Sequence, residues 1–302
     1  MAKLTETRSP TRPLLEGRAA VDWVGRLPFV LAIALAVDTF AAAATALFLR
    51  EALRGPAVSI GSMQGTALVL LVVTLPVLAV SMALVSRGVT VAVIGWLGAL
   101  GSIAYQSVLF LFGTPFNAFF FLYVAMLSLS IWALVALFAR IPIAQLVGKV
   151  GSGAPVRLVA GYLLINMVLF LGLWLQATVP AVLSAAPPAF LVGTGMTTGP
   201  VQILDLGFTL PLMTLGAVLL LRRRPWGYVL TGALLVMLAI ETASIGVDQW
   251  FGHAADPAST VASDAMTPVF AVLTALGLAV LALFLRPQTS TPQLTAGSAG
   301  KR

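Results

Sequence analysis

Residues 201–226 read VQILDLGFTLPLMTLGAVLLLRRRPW. From Val201 to Leu221 the run is apolar apart from Gln202, Asp205 and two threonines, and then Arg222, Arg223 and Arg224 end it. A helix rises about 1.5 Å per residue, so roughly 20 apolar residues cross a hydrocarbon layer of roughly 30 Å. Three guanidinium groups followed by Pro225 and Trp226 suit the lipid phosphates and the interface at its end. The stretch therefore reads as a membrane span with its basic anchor.

Working outward, seven more segments have the same character: Leu27–Leu49, Gln64–Ser86, Val89–Phe112, Asn117–Ala139, Val156–Val179, Trp226–Val247 and Pro268–Leu285. With 60% hydrophobic and 9% charged residues in 302, the chain lies far from soluble proteins, where about a quarter of residues are charged. The expected fold is all-α, a polytopic transmembrane helix bundle of eight spans. Residues 1–26 hold five basic residues and no apolar core, so they read as a cytoplasmic tail and not a signal peptide. Residues 287–302, rich in Thr, Ser, Pro and Gly, read as a disordered cytoplasmic tail.

Charge gives the orientation. With the N-terminus inside, fifteen of the seventeen basic residues are cytoplasmic and only Arg50 and Arg54 are outside. The positive-inside rule then predicts both termini in the cytoplasm of a bacterial inner membrane. The net charge of +7 is read as loops facing anionic lipid, with no nucleic-acid partner implied. The absence of cysteine excludes disulfides, iron–sulfur clusters and thiolate metal sites, and a single histidine, His253, excludes bis-histidine haem ligation. No cofactor is expected.

Thr74-Leu75-Pro76 reappears 135 positions later as Thr209-Leu210-Pro211, and at the same offset Arg87 matches Arg222 and Gln106 matches Glu241. Ala136-Leu137-Phe138-Ala139-Arg140 returns as Ala282-Leu283-Phe284-Leu285-Arg286. A tandem repeat of two parallel four-helix units, 27–140 and 156–286, is expected, joined by a flexible Gly-rich linker over 141–155. Pro76 and Pro211, each removing a backbone hydrogen bond, are expected to kink their helices.

Acids within spans are costly and face the protein interior. Asp38, Asp205 and Glu241 are placed there, with Asp248 at the outer rim. Glu241 lies about 22 Å from the inner face and Asp205 about 6 Å below the outer one, so their heights match. Gln106 and Gln176 belong to that outer layer, whereas Asp38 and Asn166 sit near the midplane. Gln202, Asp205 and Thr209 share one helical face, as do Glu241, Ser244 and Asp248. Converging stripes predict an outward-facing polar cavity in which Asp205 and Glu241 bind a proton, a cation or a cationic solute, with Asp38 as a deeper relay. Interhelical hydrogen bonding is the structural alternative for each polar residue, Asn166, Gln106 and Gln176 above all.

The outer loop Ala181–Gly199 reads as a surface loop or a lid. In the other, Asp248–Thr267, the residues Asp248, His253, Asp256 and Asp264 fit no metal-ligand spacing, so no metal site is assigned. No HExxH, GxSxG or P-loop motif is present, so no catalytic residue is assigned and an intramembrane enzyme is the weakest reading. A non-catalytic membrane partner or sensor, acting through its outer loops, is the main alternative to a transporter-like, small-solute-binding protein.

Gly193-Thr194-Gly195-Met196-Thr197-Thr198-Gly199-Pro200-Val201-Gln202-Ile203-Leu204-Asp205-Leu206, followed by Arg223-Arg224-Pro225-Trp226-Gly227-Tyr228, resembles a group of uncharacterised bacterial integral membrane proteins. The likeness runs from about Val179 to Tyr228. In that group the position of Gln202 is often a histidine, which suits a polar site beside Asp205; this chain departs from the pattern there. The resemblance implies a bacterial multi-pass membrane protein and brings no activity with it.

Overall fold

Every backbone N–H and C=O in a bilayer core needs a partner within the protein, and an apolar run meets that need by coiling into a helix. A computed structural model describes residues 23–49, 52–150 and 154–286, and among these it holds nine helices. They are α1 (Arg26–Phe48), α2 (Ala57–Ser86), α3 (Thr90–Phe112), α4 (Phe120–Phe138), α5 (Ile143–Val150), α6 (Val156–Ser184), α7 (Pro200–Leu221), α8 (Pro225–Ala255) and α9 (Met266–Leu285). All but α5 are long and apolar enough to cross a membrane. The expected tails fall largely outside the described residues.

Three helices outrun their apolar windows. α2 starts at Ala57 instead of Gln64, α6 runs on to Ser184, and α8 continues to Ala255, so Asp248 and His253 are helical and not in a loop. For α2 and α8 the cause is polar contact beyond the window: Ser59 Oγ donates to the Thr194 carbonyl at 2.9 Å, and Ser62 Oγ to the Asp248 carbonyl at 3.3 Å. Within the expected linker, Ile143–Val150 is helical. α5 buries Leu146 and Val150 and packs against the first turn of α3 and against α8, because its apolar residues share one face.

α3 and α8 form the centre. Of their apolar stretches 78% and 72% is buried, against 17% for α6 and α9, which mainly face outward. The two central helices start at the same end of the bundle and touch at Gly98, where an added Cβ would meet Val236 and the Ala233 carbonyl. Small residues at such crossings let helix backbones approach when hydrophobic burial gives no drive between helices. α2 packs on α8 and α3, α7 on α6 and α8, α9 on α8, and α1 on α4 and α2.

The two prolines are accommodated by the same device. In α2 a π-helical turn covers Leu70–Thr74, with Leu75 N–H bonded to the Leu70 carbonyl; in α7 one covers Asp205–Thr209, with Leu210 N–H bonded to the Asp205 carbonyl. The extra residue per turn relieves the clash of each proline ring with the preceding carbonyls, and an α-helix resumes through Pro76 and Pro211.

The helix order brings Arg26, Arg87, Arg140, Lys149, Arg157, Arg222, Arg223, Arg224 and Arg286 to one end, here the basic end. Among the described residues, Arg54 alone of the basic ones lies at the opposite end, with His253, Asp256 and Asp264.

Candidate functional site

α8 carries Glu241, Ser244 and Asp248 at spacings of three and four, which stack them on one face. Glu241, only 7% exposed, is gripped by α3. Ser102 Oγ donates to its Oε1 at 2.7 Å, and Gln106 Nε2 donates to its Oε2 and also reaches Ser244 Oγ at 3.4 Å. The Gln106 side chain is itself buried, and its Oε1 receives no hydrogen bond among the described residues. Spaced at 102, 105 and 106, the α3 donors fall on one face, and the third of them, Tyr105, turns to α7.

Asp205 opens the π turn of α7. Its Oδ1 accepts from Tyr105 Oη at 3.2 Å and its Oδ2 from Trp174 Nε1 of α6 at 2.9 Å. α3 therefore holds both acids at once. No Lys or Arg among the described residues shares the bundle interior with them, so neutral donors do all the work of satisfying these oxygens.

Asp248 is fixed from α2. Thr66 Oγ1 donates to its Oδ1 at 2.9 Å, while its Oδ2 takes no hydrogen bond among the described residues. Gly65 lets the helices meet here, since a Cβ at that position would sit 2.9 Å from Asp248 Cα. Beside this junction lies a cavity of about 360 Å³, in the half of the bundle away from the basic end. Asp248, Gln202, Gln249 and Thr66 supply its polar wall, and Trp174 and Phe190 much of its aromatic wall. A few polar groups in a mainly apolar hollow of this size is the usual character of a small-molecule site. Phe190 and Thr194 bring the segment after α6 over this space, so that loop forms part of the enclosure. A larger crevice of about 720 Å³ between α6, this loop and α7 also touches Gln202 but has no acid in its wall.

Asp205 and Glu241 do not line the cavity; they sit behind it in the α3 network, and the acid at its wall is Asp248. The reason is the extended α8, which keeps Asp248 on the Glu241 face two turns further out. Gln106 and Gln202 join this region, the latter 9% exposed and in the cavity wall. Three other expected residues do not join it. The Asp38 Oδ2 on α1 is buried and takes no hydrogen bond among the described residues, and no hydrogen bond there joins Asp38 to the other acids. Asn166 Nδ2 turns back to the Tyr162 carbonyl of its own helix at 2.8 Å, and Gln176 is exposed.

Ser102, Tyr105, Trp174, Thr66, Gly65 and Gln249 emerge only from the structure. For α2 a signal was present, because Gly61-Ser62-Met63-Gln64-Gly65 is a small-xxx-small pattern of helix contact. For Tyr105 and Trp174 nothing in an aromatic-rich apolar run marks one ring as a hydrogen-bond donor. At the same end His253 Nε2 lies 3.9 Å from Asp264 Oδ1, and among the described residues no three His, Asp or Glu side chains gather as metal ligands would.

No family model, curated protein or solved structure matches the chain. The eight apolar helices are those of a multi-pass integral membrane protein in contact with a lipid bilayer.

Proposed function

We propose that this protein is a transporter-like, small-solute-binding membrane protein whose ligand carries positive charge. The observation that supports this most is Asp248, whose carboxylate stands at the wall of a 360 Å³ cavity with one oxygen held by Thr66 and the other unengaged. Trp174 and Phe190 add ring faces that attract a cation, and Gln202 and Gln249 can take its polar substituents. Glu241 and Asp205, held in the α3 network behind, act as the proton- or charge-bearing pair that responds to occupancy of the cavity.

The reading includes an orientation and a duplication. The basic end faces the cytoplasm of a bacterial inner membrane, with the cavity opening outward, in keeping with nine basic residues at one end against one at the other. The halves 27–140 and 156–286 descend from one four-helix unit, with 141–155 between them. Two findings favour that origin: the π turns begin 135 positions apart, at Leu70 and Asp205, and Gln106 contacts Glu241, its own counterpart at that offset.

The test uses the full chain in mild detergent, with thermal unfolding followed against primary and quaternary alkylammonium ions and matched neutral and anionic compounds. A binding cation should stabilise saturably, by about 2.7 kcal/mol at a hundred times its Kd. Asp248→Asn should abolish the effect without lowering the unliganded Tm much. Stabilisation by neutral or anionic compounds alone, or an unchanged response in Asp248→Asn, would overturn the proposal.

A further inference from the structure

A second cavity, of about 590 Å³, lies in the half of the bundle nearer the basic end. It is a cleft: α2 and α9 form its walls, and α3 and α8 its floor, where Gly95 presents no side chain. Its lining is almost wholly apolar, with Ser81 and Thr274 the exceptions. The wall residues run from Val73 to Leu84 on α2 and from Thr274 to Leu285 on α9. The eleven helical steps in each wall span about 16 Å. That is close to half of a hydrocarbon layer of roughly 30 Å, the depth of one leaflet.

At the basic end the cleft finishes among cations. Arg87 closes α2 just before the lining residue Val89, Arg286 follows the lining residue Leu285, and Lys149 of α5 reaches Thr90 Oγ1 at 3.5 Å, between Val89 and Val91. All three side chains are exposed, and no acidic side chain lies at this end among the described residues.

We propose that this cleft binds one anionic phospholipid, with an acyl chain along α2 and α9 and its phosphate among Arg87, Lys149 and Arg286. Length, apolar lining and charge coincide here, and each answers to a different part of such a molecule. The occupant is structural or regulatory lipid, held beside the α8 helix that carries Glu241 and Asp248 toward the other end. The site does not depend on what the outer cavity binds.

Native mass spectrometry of the full chain, delipidated and then titrated with phosphatidylglycerol or phosphatidylcholine, tests the proposal. Phosphatidylglycerol should be retained preferentially. Lys149→Gln and Arg286→Gln should each weaken it about fivefold and weaken phosphatidylcholine less, because the choline ammonium there offsets the phosphate charge. Leu278→Trp, at an exposed lining position, should fill the cleft and reduce retention of both lipids with the fold intact by thermal unfolding. Equal retention of the two lipids by the unaltered protein, or no loss in Leu278→Trp, would overturn it. A dimer that Leu278→Trp dissociates, with no lipid bound, would also overturn it by showing a second copy of the chain in the cleft.

Discussion

α2 and α7 solve one backbone problem in one way and then diverge. Each carries Thr-Leu-Pro, and each places a π turn immediately before the Leu-Pro step. The first residue of that turn is Leu70 in α2, fully buried among apolar side chains, and Asp205 in α7, held by Tyr105 and Trp174. The proline accounts for the widened turn in both helices, so the turn itself does not call for an acid. What permits Asp205 is the pair of donors that α3 and α6 aim at it. π turns often occur at functional sites, and the comparison separates the two causes: backbone relief is common to both helices, and chemistry belongs to one.

The sharpest way to break this comparison is to exchange the two residues. Leu70→Asp puts a carboxyl where the hydroxyls one turn away, Thr66 and Thr74, already donate to Asp248 and the Val69 carbonyl, and it should destabilise by about 3 kcal/mol or prevent insertion, measured by thermal unfolding and membrane yield. Removing one donor while keeping the acid comes next. Tyr105→Phe or Trp174→Phe should each cost about 1–3 kcal/mol, since a buried carboxyl then lacks one partner. Full stability in both variants would mean that water, and not these side chains, satisfies Asp205.

Glu241 extends the comparison to the central helices. Glu241→Ala strands Ser102 and Gln106 and should cost about 1–3 kcal/mol, whereas Glu241→Gln keeps a hydrogen-bonding group and should cost less. The smallest effect belongs to Asp205→Asn, which keeps the shape and hydrogen-bonding capacity of the side chain. It should change stability by less than about 1 kcal/mol, because the amide oxygen can still accept from Trp174 Nε1 while Tyr105 Oη turns to accept from the amide NH2. If that variant unfolds the protein, Asp205 is structural and its part in the proposed charge-bearing pair is lost.

Much of this is legible in the sequence. The spans of α1, α3, α4, α7 and α9 follow their apolar windows closely, because hydropathy measures the same transfer that a bilayer imposes. The ends of α2, α6 and α8 were missed, and at α2 and α8 the added turns are polar and held by tertiary hydrogen bonds. Gln176 shows the limit of height as a criterion: it was placed in the outer layer, but its helix turns it outward. Asp38 shows the limit of charge, since this half-buried acid makes no hydrogen bond to the other acids among the described residues.

By itself the sequence determined an all-helical membrane protein of eight spans, the distribution of its basic residues and the turns at which its prolines must be relieved. These follow from local composition and from the energetic demand that a bilayer makes on every segment separately. Only the tertiary structure decided that α3 and α8 stand at the centre, that Asp248 and not Asp205 or Glu241 reaches the cavity, and that α2 and α9 stand apart over an apolar cleft. Rotation about a helix axis and choice of neighbour leave hydropathy unchanged. They depend on where Gly65 and Gly98 let backbones meet and where Tyr105, Trp174, Ser102 and Thr66 find an acid to satisfy.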